Sequence, residues 1–339
     1  MIVDLRSDTV TKPTTAMLEA MFAAKVGDDV LEEDETVSAL EEKLAGMFGM
    51  AAGLFCPSGT MTNQIAIKCF TQPMDEVICD ESSHVYRYEG GGIAFNSAAS
   101  VKLLRGNRGR LTAELIEPHV NPADIHYPRT SLVVLENTAN KGGGSYYTLD
   151  QIEPIYHLCR LKKLSLHLDG ARIFNALAES GDAAREYGRF FDGISVCLSK
   201  GLGAPVGSVL LGSEDTIQRA KRIRKAMGGG MRQAGYLAAA GIYALDHHVH
   251  RLKEDHVHAR IIGEQLQNLS YVEEILPVRT NIVIFRLNEK INADDFVHTL
   301  ASHGVKCSKF GYQSIRFVTH LDVNADMVGY TVEVLKKAY

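Results

Sequence analysis

The sequence predicts an α/β protein with a mostly parallel sheet of seven strands, helices on both faces, and a small α+β domain at the carboxyl end. The main observation is that short apolar runs alternate with helical segments, which is typical of βαβ units. The second is a change of rhythm in the last seventy residues of a chain of 339, a length that exceeds the usual size of one core. The apolar runs lie at residues 52–56, 76–79, 101–104, 131–136, 164–168, 194–198 and 206–211. The helical segments of this part lie near residues 60–71, 112–120, 148–162, 171–179 and 213–227.

Two helices are predicted before the first strand. Pro13 precedes a short helix over residues 14–24, as expected for proline in a first helical turn. An acidic loop over residues 26–34 leads to a second helix over 35–48, where apolar residues recur on one stripe. After the glycine-rich break at 228–230, the predicted elements are a long helical tract over 233–269, strands at 281–287 and 314–318, and helices at 293–303 and 323–338.

The composition is that of a globular protein, with 45% hydrophobic and 23% charged residues. A formal net charge of −5 argues against nucleic acid or an anionic membrane as the main partner. The six cysteines are scattered without a CxxC pair, as in reduced intracellular proteins. The first residues lack the apolar core of a signal peptide, and no apolar stretch reaches membrane-spanning length. We therefore expect a cytoplasmic protein.

The most informative stretch is an apolar, β-branched run that ends in Ser199-Lys200 and breaks into Gly201-Leu202-Gly203. Burying an ammonium group is costly unless it is paired or neutralised. Lys200 is therefore either a nucleophile of the Schiff-base type or a lysine that extends from the strand end to solvent. This segment alone leaves both interpretations open.

Three other stretches carry candidate functional residues. Cys56-Pro57-Ser58-Gly59-Thr60 lies between a strand and a helix, so it is either an anion-binding turn or a plain connection. Asp169 ends a buried strand, where it could face a ligand or cap the next helix. His84 could stack on a flat ring or lie at the surface. Together with Lys200, the turn and the aspartate describe a pyridoxal phosphate (PLP) site: a covalent anchor, a partner for the pyridine nitrogen and a phosphate cradle.

The sequence resembles the L-threonine aldolases, of the fold-type I PLP enzymes, in motifs that run nearly end to end. Two of them are LDGARIFNA at 168–176 and CLSKGLGAPVGS at 197–208. The other matching segments lie at residues 4–11, 26–29, 57–60, 135–138, 224–225, 228–233 and 318–320. The resemblance implies PLP as cofactor and retro-aldol cleavage of L-threonine or L-allo-threonine to glycine and acetaldehyde. It further implies a homotetramer, a dimer of dimers with active sites at subunit interfaces.

The resemblance also implies a division of the chain and a set of roles. An N-terminal segment (1–25) would pack on the active site, followed by a large PLP-binding domain (26–245) and a small C-terminal domain (246–339). The implied cofactor-binding residues are Ser58, Gly59, Thr60, His84, Asp169, Arg172, Ser199, Lys200, Lys225 and Arg232. The implied substrate-binding residues are Ser7, His126, Arg172 and Arg316, and the implied catalytic residues are Lys200, His84, Asp169 and His126.

Some details of these implied roles stay open. His84 would stack on the cofactor ring, and Lys225 and Arg232 would reach the phosphate at least partly across a subunit boundary. An arginine suits the substrate carboxylate because its planar fork fixes the plane of the amino acid. His84, His126 and a bound water are all candidates for the base that takes the hydroxyl proton.

The chain departs from the family pattern at two places. Leu31 and Glu32 stand where the family has an aromatic residue and glycine, and Ala139 stands where it commonly has histidine. Substrate preference and threo/erythro selectivity are therefore open. The alternative functions are a PLP-dependent β-eliminating lyase and a non-catalytic binding protein of the same fold. A histidine-rich stretch over 247–258 lacks a ligand motif, so we expect a solvated helix face and no metal.

Overall fold

A computed structural model covers residues 1–339. Its strands are β1 (Val3–Asp4), β2 (Ala52–Cys56), β3 (Glu76–Asp80), β4 (Ser100–Leu104), β5 (Thr130–Glu136), β6 (Ser165–Gly170), β7 (Gly193–Cys197), β8 (Ser208–Gly212), β9 (Val272–Ile275), β10 (Ile282–Leu287), β11 (Val305–Lys306), β12 (Ser308–Gly311) and β13 (Ser314–Val318). Its helices are α1 (Thr15–Phe22), α2 (Glu35–Phe48), α3 (Gly59–Phe70), α4 (His84–Arg87), α5 (Gly92–Ser97), α6 (Ala113–Ile116), α7 (Leu149–Lys162), α8 (Ile173–Ser180), α9 (Ala184–Gly188), α10 (Glu214–Ala226), α11 (Gly235–His247), α12 (Leu252–Gln267), α13 (Ala293–Ser302) and α14 (Ala325–Lys337). No helix is both long and apolar enough to cross a membrane.

The predicted seven-stranded sheet is confirmed, in the order β2-β8-β7-β6-β5-β3-β4. Strands β7, β6, β5, β3 and β4 run parallel, and β8 is antiparallel to both of its neighbours, β7 and β2. The sheet is nearly continuously apolar because helices cover both of its faces, as parallel sheets require. The large hydrophobic core, with 39 buried residues, lies between this sheet and its helices.

A second core of 21 buried residues lies around the four-stranded antiparallel sheet β12-β13-β10-β9. The first residues of the chain belong to it, because β1 pairs with β11 and both Val3 and Leu5 are fully buried there. Helix α12 lies in both cores: Leu252 packs in the first and Leu266 in the second. The division of the chain at residues 25 and 245 stays a prediction.

The helical tract predicted over 233–269 is divided into α11 and α12. The break contains His248, whose buried ring places Nδ1 at 2.7 Å from the carbonyl oxygen of Leu202. Nearby, His256 is buried with Nε2 at 3.0 Å from Oδ1 of Asn175. These two histidines of the 247–258 stretch thus face the interior, each with one ring nitrogen in a hydrogen bond, instead of lying on a solvated face.

Strand β2 is the outer strand of the large sheet and pairs only with β8. Its free backbone groups at Phe55 are occupied by two side chains: the amide N–H donates to Glu41 at 2.7 Å, and the carbonyl oxygen accepts from Arg224 at 2.6 Å. Arg224 is also paired with Asp29 at 2.9 Å. The side chains of Glu41 and Arg224 therefore satisfy the edge backbone groups that a neighbouring strand would otherwise pair with.

Glu41→Gln should change how stability depends on pH. Burial raises the pKa of Glu41 from 4.5 to about 7, so the folded chain binds this proton more tightly than the unfolded chain does. The stabilisation of the fold by this bound proton is complete below about pH 4.5 and is lost as pH rises through about 7. Glutamine keeps an oxygen for Phe55 and carries no proton to lose. The free energy of unfolding of the variant minus that of wild type should therefore increase by up to about 3 kcal/mol as pH is raised from 4 to 8.

Chemical denaturation across this pH range measures the effect. Glu42→Gln, at the exposed neighbouring position, is the matched control and should show no such gain. A constant difference between Glu41→Gln and wild type at every pH would contradict the expectation.

Candidate active site

Strands β3, β5, β6 and β7 are parallel, so their carboxyl ends meet at one edge of the sheet, where ligands bind in open α/β folds. The register places Glu136 beside Asp169, and Asp169 beside Ser195. Lys200 follows the end of β7, and His84 begins the short helix after β3. The predicted lysine, aspartate and histidine therefore belong to the same edge.

Asp169 is a buried acid with one carboxylate oxygen that has no hydrogen-bond partner. Its side chain is buried, with only 2% of the residue exposed. One oxygen accepts from the amide of Ala171 at 3.1 Å, whereas Oδ2 has no hydrogen-bond partner. An unpaired buried carboxylate oxygen is costly. The protonated ring nitrogen of a bound PLP would supply the missing donor and a positive charge.

Gly170, the next residue, allows the close approach of two strands at this point. A Cβ at position 170 would lie 2.4 Å from the carbonyl oxygen of Ser195 on β7. Only glycine fits this position without moving the backbone that carries Asp169.

His84, which is half-buried, forms a hydrogen-bonded dyad with the buried Glu89, a residue that the sequence did not single out. Nδ1 of His84 lies 2.9 Å from Glu89, whose carboxylate also accepts from Asn63 at 2.9 Å and Gln64 at 2.6 Å. Burial alone would lower the pKa of His84, but the bond to Glu89 and the charge of Asp169 outweigh it, and the pKa is raised. The dyad fixes the ring orientation and leaves Nε2 free.

The polar atoms of His84, Glu89 and Asp169 lie within 4.8 Å of one another, a spacing compatible with a metal site. The direct contact of 2.9 Å between His84 and Glu89 leaves no space for an ion between these two groups. A hydrogen-bonded dyad facing an acid accounts for the arrangement.

The predicted phosphate turn lies at the start of α3. Ser58 caps this helix by accepting from the amide of Met61 at 3.2 Å, while the amides of Gly59 and Thr60 have no partner in the chain. Free amides at a helix N-terminus bind anions. The 228–230 loop lies against Met61, and the hydroxyl of Ser199 makes only a 3.5 Å contact with the sulfur of Cys197. These donors fit the phosphate of PLP.

Arg172 is held by a buried carboxylate that the sequence did not reveal. It donates from Nε and Nη2 to the two oxygens of Asp8, both at 2.7 Å, and Asn281 donates to the same carboxylate at 3.2 Å. Burial opposes ionisation of Asp8, but the positive charges of Arg172 and Lys200 prevail and lower its pKa to about 2. Asp8 thus occupies Nε and Nη2 of Arg172 and leaves Nη1 for a ligand. Ser7 directly precedes Asp8 in the chain.

Arg316, from β13, belongs to the small sheet and faces the same region. Its Nη1 donates to Asn140 at 2.8 Å and its Nη2 to the carbonyl oxygen of Arg6 at 2.8 Å, while Nε is buried without a partner. Burial, aided by the charge of Arg172, lowers its pKa to about 10. Arg316 is therefore charged at neutral pH and retains a donor for a carboxylate.

Three predicted residues do not join this cluster within one chain. His126 lies in an exposed loop, with its Nδ1 at 2.7 Å from Asp124. Arg232 is exposed and donates to Asp28 at 2.8 Å, and Lys225 is exposed beside Gly230. Their roles stay predictions.

The departures from the family pattern lie in different surroundings. Leu31 is 65% exposed, and Glu32 is paired with Lys221. Ala139 is buried, with its Cβ 2.9 Å from where a Cβ on Gly109 would lie. A larger side chain at 139 in the same orientation would meet this glycine turn.

The fold and these residues define a PLP-dependent enzyme of fold type I. The protein-family comparison agrees: residues 4–290 match the family described as Beta-eliminating lyase, and the chain belongs to this family.

Similar proteins bear out the assignment. The chain is 41% identical to a low specificity L-threonine aldolase of Escherichia coli (strain K12), over 96% of each chain. It is 38% identical to low-specificity L-threonine aldolase 1 of Arabidopsis thaliana, over 99% of this chain and 96% of the relative. A solved threonine aldolase from Leishmania major has the same fold, with a TM-score of 0.86, 22% identity and 99% of each chain covered.

Proposed function

We propose that the protein cleaves L-threonine and L-allo-threonine to glycine and acetaldehyde. The observation that carries this proposal is the buried, unpaired oxygen of Asp169 at the strand edge that also bears Lys200. The similarity to proteins named as low-specificity L-threonine aldolases supports the reaction and the substrate class. When bound, PLP supplies an electron sink for the electron pair released as the Cα–Cβ bond breaks.

The residues at the sheet edge would hold the cofactor at three points. Lys200 would bind its carbonyl carbon covalently, and Asp169 would accept the hydrogen bond of the ring nitrogen and keep it protonated. The turn at 58–60 and Ser199 would bind the phosphate. Lys225 and Arg232 would contribute from a neighbouring subunit.

The substrate would be oriented by its carboxylate. Arg316 and the free Nη1 of Arg172 would bind it, with Ser7 alongside, since a fixed plane places the Cα–Cβ bond perpendicular to the ring. His84 would stack on the ring and take the proton of the β-hydroxyl at Nε2, because Glu89 already engages Nδ1. His126 would contact the hydroxyl only if it is supplied by another copy of the chain.

A cofactor-labelling experiment with a product assay tests the proposal. Protein purified with PLP should absorb visible light, and borohydride should fix the cofactor on the peptide that contains Lys200. Threonine should yield equal amounts of glycine and acetaldehyde. A protein that binds no PLP, or that leaves threonine and allo-threonine intact, would overturn it.

A β-eliminating lyase is the second candidate, favoured by the name of the family that the chain matches. Elimination would release a keto acid and ammonia instead of glycine and an aldehyde. Quantifying ammonia in the same reactions separates the two functions.

We also propose a cytoplasmic homotetramer, a dimer of dimers whose active sites lie at subunit interfaces. The exposed positions of Lys225, Arg232 and His126 support it, because none of these side chains contacts the buried residues of the site within one chain. Light scattering should give the mass of four chains of 37.2 kDa. A monomer would exclude the contributions of these three residues.

A further inference from the structure

Glu136, at the carboxyl end of β5, is a buried acid to which the reaction described above assigns no role. It lies next to Asp169 in the register of the sheet. Burial and the charge of Asp169 raise its pKa to about 7. An acid at this place is therefore unfavourable for the fold by itself, and its contacts explain what it does.

The two oxygens of Glu136 receive hydrogen bonds from two separate segments. Oε2 accepts from the backbone amide of His84 at 3.0 Å, and Oε1 accepts from the backbone amide of Asn140 at 2.9 Å. Only a carboxylate offers two acceptor oxygens in this shape, since a glutamine would turn an NH₂ group toward one of the two amides.

The segment at Asn140 leads directly to the small sheet. The side-chain oxygen of Asn140 accepts from Nη1 of Arg316 at 2.8 Å. A continuous path of three hydrogen bonds thus runs from the backbone of His84, through Glu136 and Asn140, to the guanidinium of Arg316. This path joins strand β5 of the large sheet, which carries Glu136, to strand β13 of the small sheet, which carries Arg316.

We propose that Glu136 is a positioning residue that keeps His84 and Arg316 in a fixed relative position, so that the imidazole meets the substrate held by the guanidinium. The inference builds on the proposed function, which gives these two residues their roles. The proposal has two parts that can be tested separately. The hydrogen bonds of Asn140 to Glu136 and Arg316, here called the Asn140 arm, govern binding of the substrate carboxylate. The hydrogen bond of Glu136 to the amide of His84, here called the His84 arm, governs the chemical step.

Two variants separate the arms. Asn140→Ala removes one hydrogen bond to a charged group, so KM for threonine and the Kd of glycine should each rise about tenfold, with kcat within about twofold of wild type. Glu136→Gln disturbs both arms, so the same constants should rise and kcat should fall about tenfold. Because both changes act on one path, the double variant should bind glycine no more weakly than Glu136→Gln alone.

Asn121→Ala is the matched control. Asn121 also donates to a buried glutamate, Glu76 at 2.8 Å, but at the amino end of the sheet. Its loss should lower the melting temperature and leave KM, kcat and the glycine Kd unchanged.

Calorimetric titration with glycine keeps this test independent of turnover. A wild-type protein that binds glycine and cleaves no threonine would refute the proposed function and still allow the Asn140 arm to be measured. Unchanged glycine binding in Asn140→Ala, or effects of Asn140→Ala and Glu136→Gln that multiply in the double variant, would overturn the role of Glu136. If Glu136→Gln does not fold, Glu136→Asp replaces it in the same comparison, because aspartate keeps two acceptor oxygens on a shorter side chain that cannot reach both amides.

Discussion

Replacing Lys200 by alanine should reduce turnover of threonine by at least about four orders of magnitude, since removal of a covalent catalyst commonly has such an effect. The variant should fold normally, because Lys200 is not part of either hydrophobic core. PLP should still bind through the phosphate turn and Asp169, but borohydride should no longer fix it to the protein. Steady-state kinetics and mass spectrometry after reduction measure both effects.

Lys290→Ala, at an exposed position of the small domain, is the control and should retain full activity and labelling. Turnover of Lys200→Ala near that of wild type would refute the covalent role. Labelling of a different lysine in wild type would do the same.

Asp169→Asn should lower kcat/KM for threonine by roughly a hundredfold to a thousandfold, the range of a removed buried ionic partner. Asparagine has the same shape and can still accept from the amide of Ala171, so the fold is expected to persist. It carries no charge, and it can no longer hold the proton on the ring nitrogen. The affinity for PLP should fall as well, which spectroscopic titration of the apoprotein measures.

Asp192→Asn provides the same chemical change at the amino end of β6, where Asp192 pairs with Arg160 and accepts from the amide of Leu166 at 2.8 Å. That variant should lose stability and keep its kcat/KM. If Asp169→Asn retains kcat/KM within threefold of wild type, the unpaired oxygen of Asp169 does not face the cofactor.

The central sheet could be predicted from sequence because each of its strands is a short apolar run between helices or turns. The elements that were missed are too short to show a period, such as α4 and α9, or depend on distant partners. Strand β1 has only two residues and exists because β11, about 300 residues away, pairs with it. Periodicity within a window contains no information on such a pair.

The same limit applies to the site. Lys200 and Asp169 stand out because each is a polar residue at the end of an apolar run. Glu136 ends the apolar run at 131–136 in the same way and could have been found by the same reasoning. Asp8 and Glu89 could not, because their roles depend on Arg172 and His84, which only the folded chain brings into contact with them.

The two side chains that occupy the outer edge of β2 restrict how copies of the chain can associate. A strand from another molecule could add to the sheet at Phe55 only by displacing Glu41 and Arg224 and leaving Arg224's partner, Asp29, without its counter-charge. Growth of the sheet from copy to copy is therefore blocked at this edge, which also protects the protein from fibre-like aggregation there. Assembly through this region has to use helix and loop surfaces.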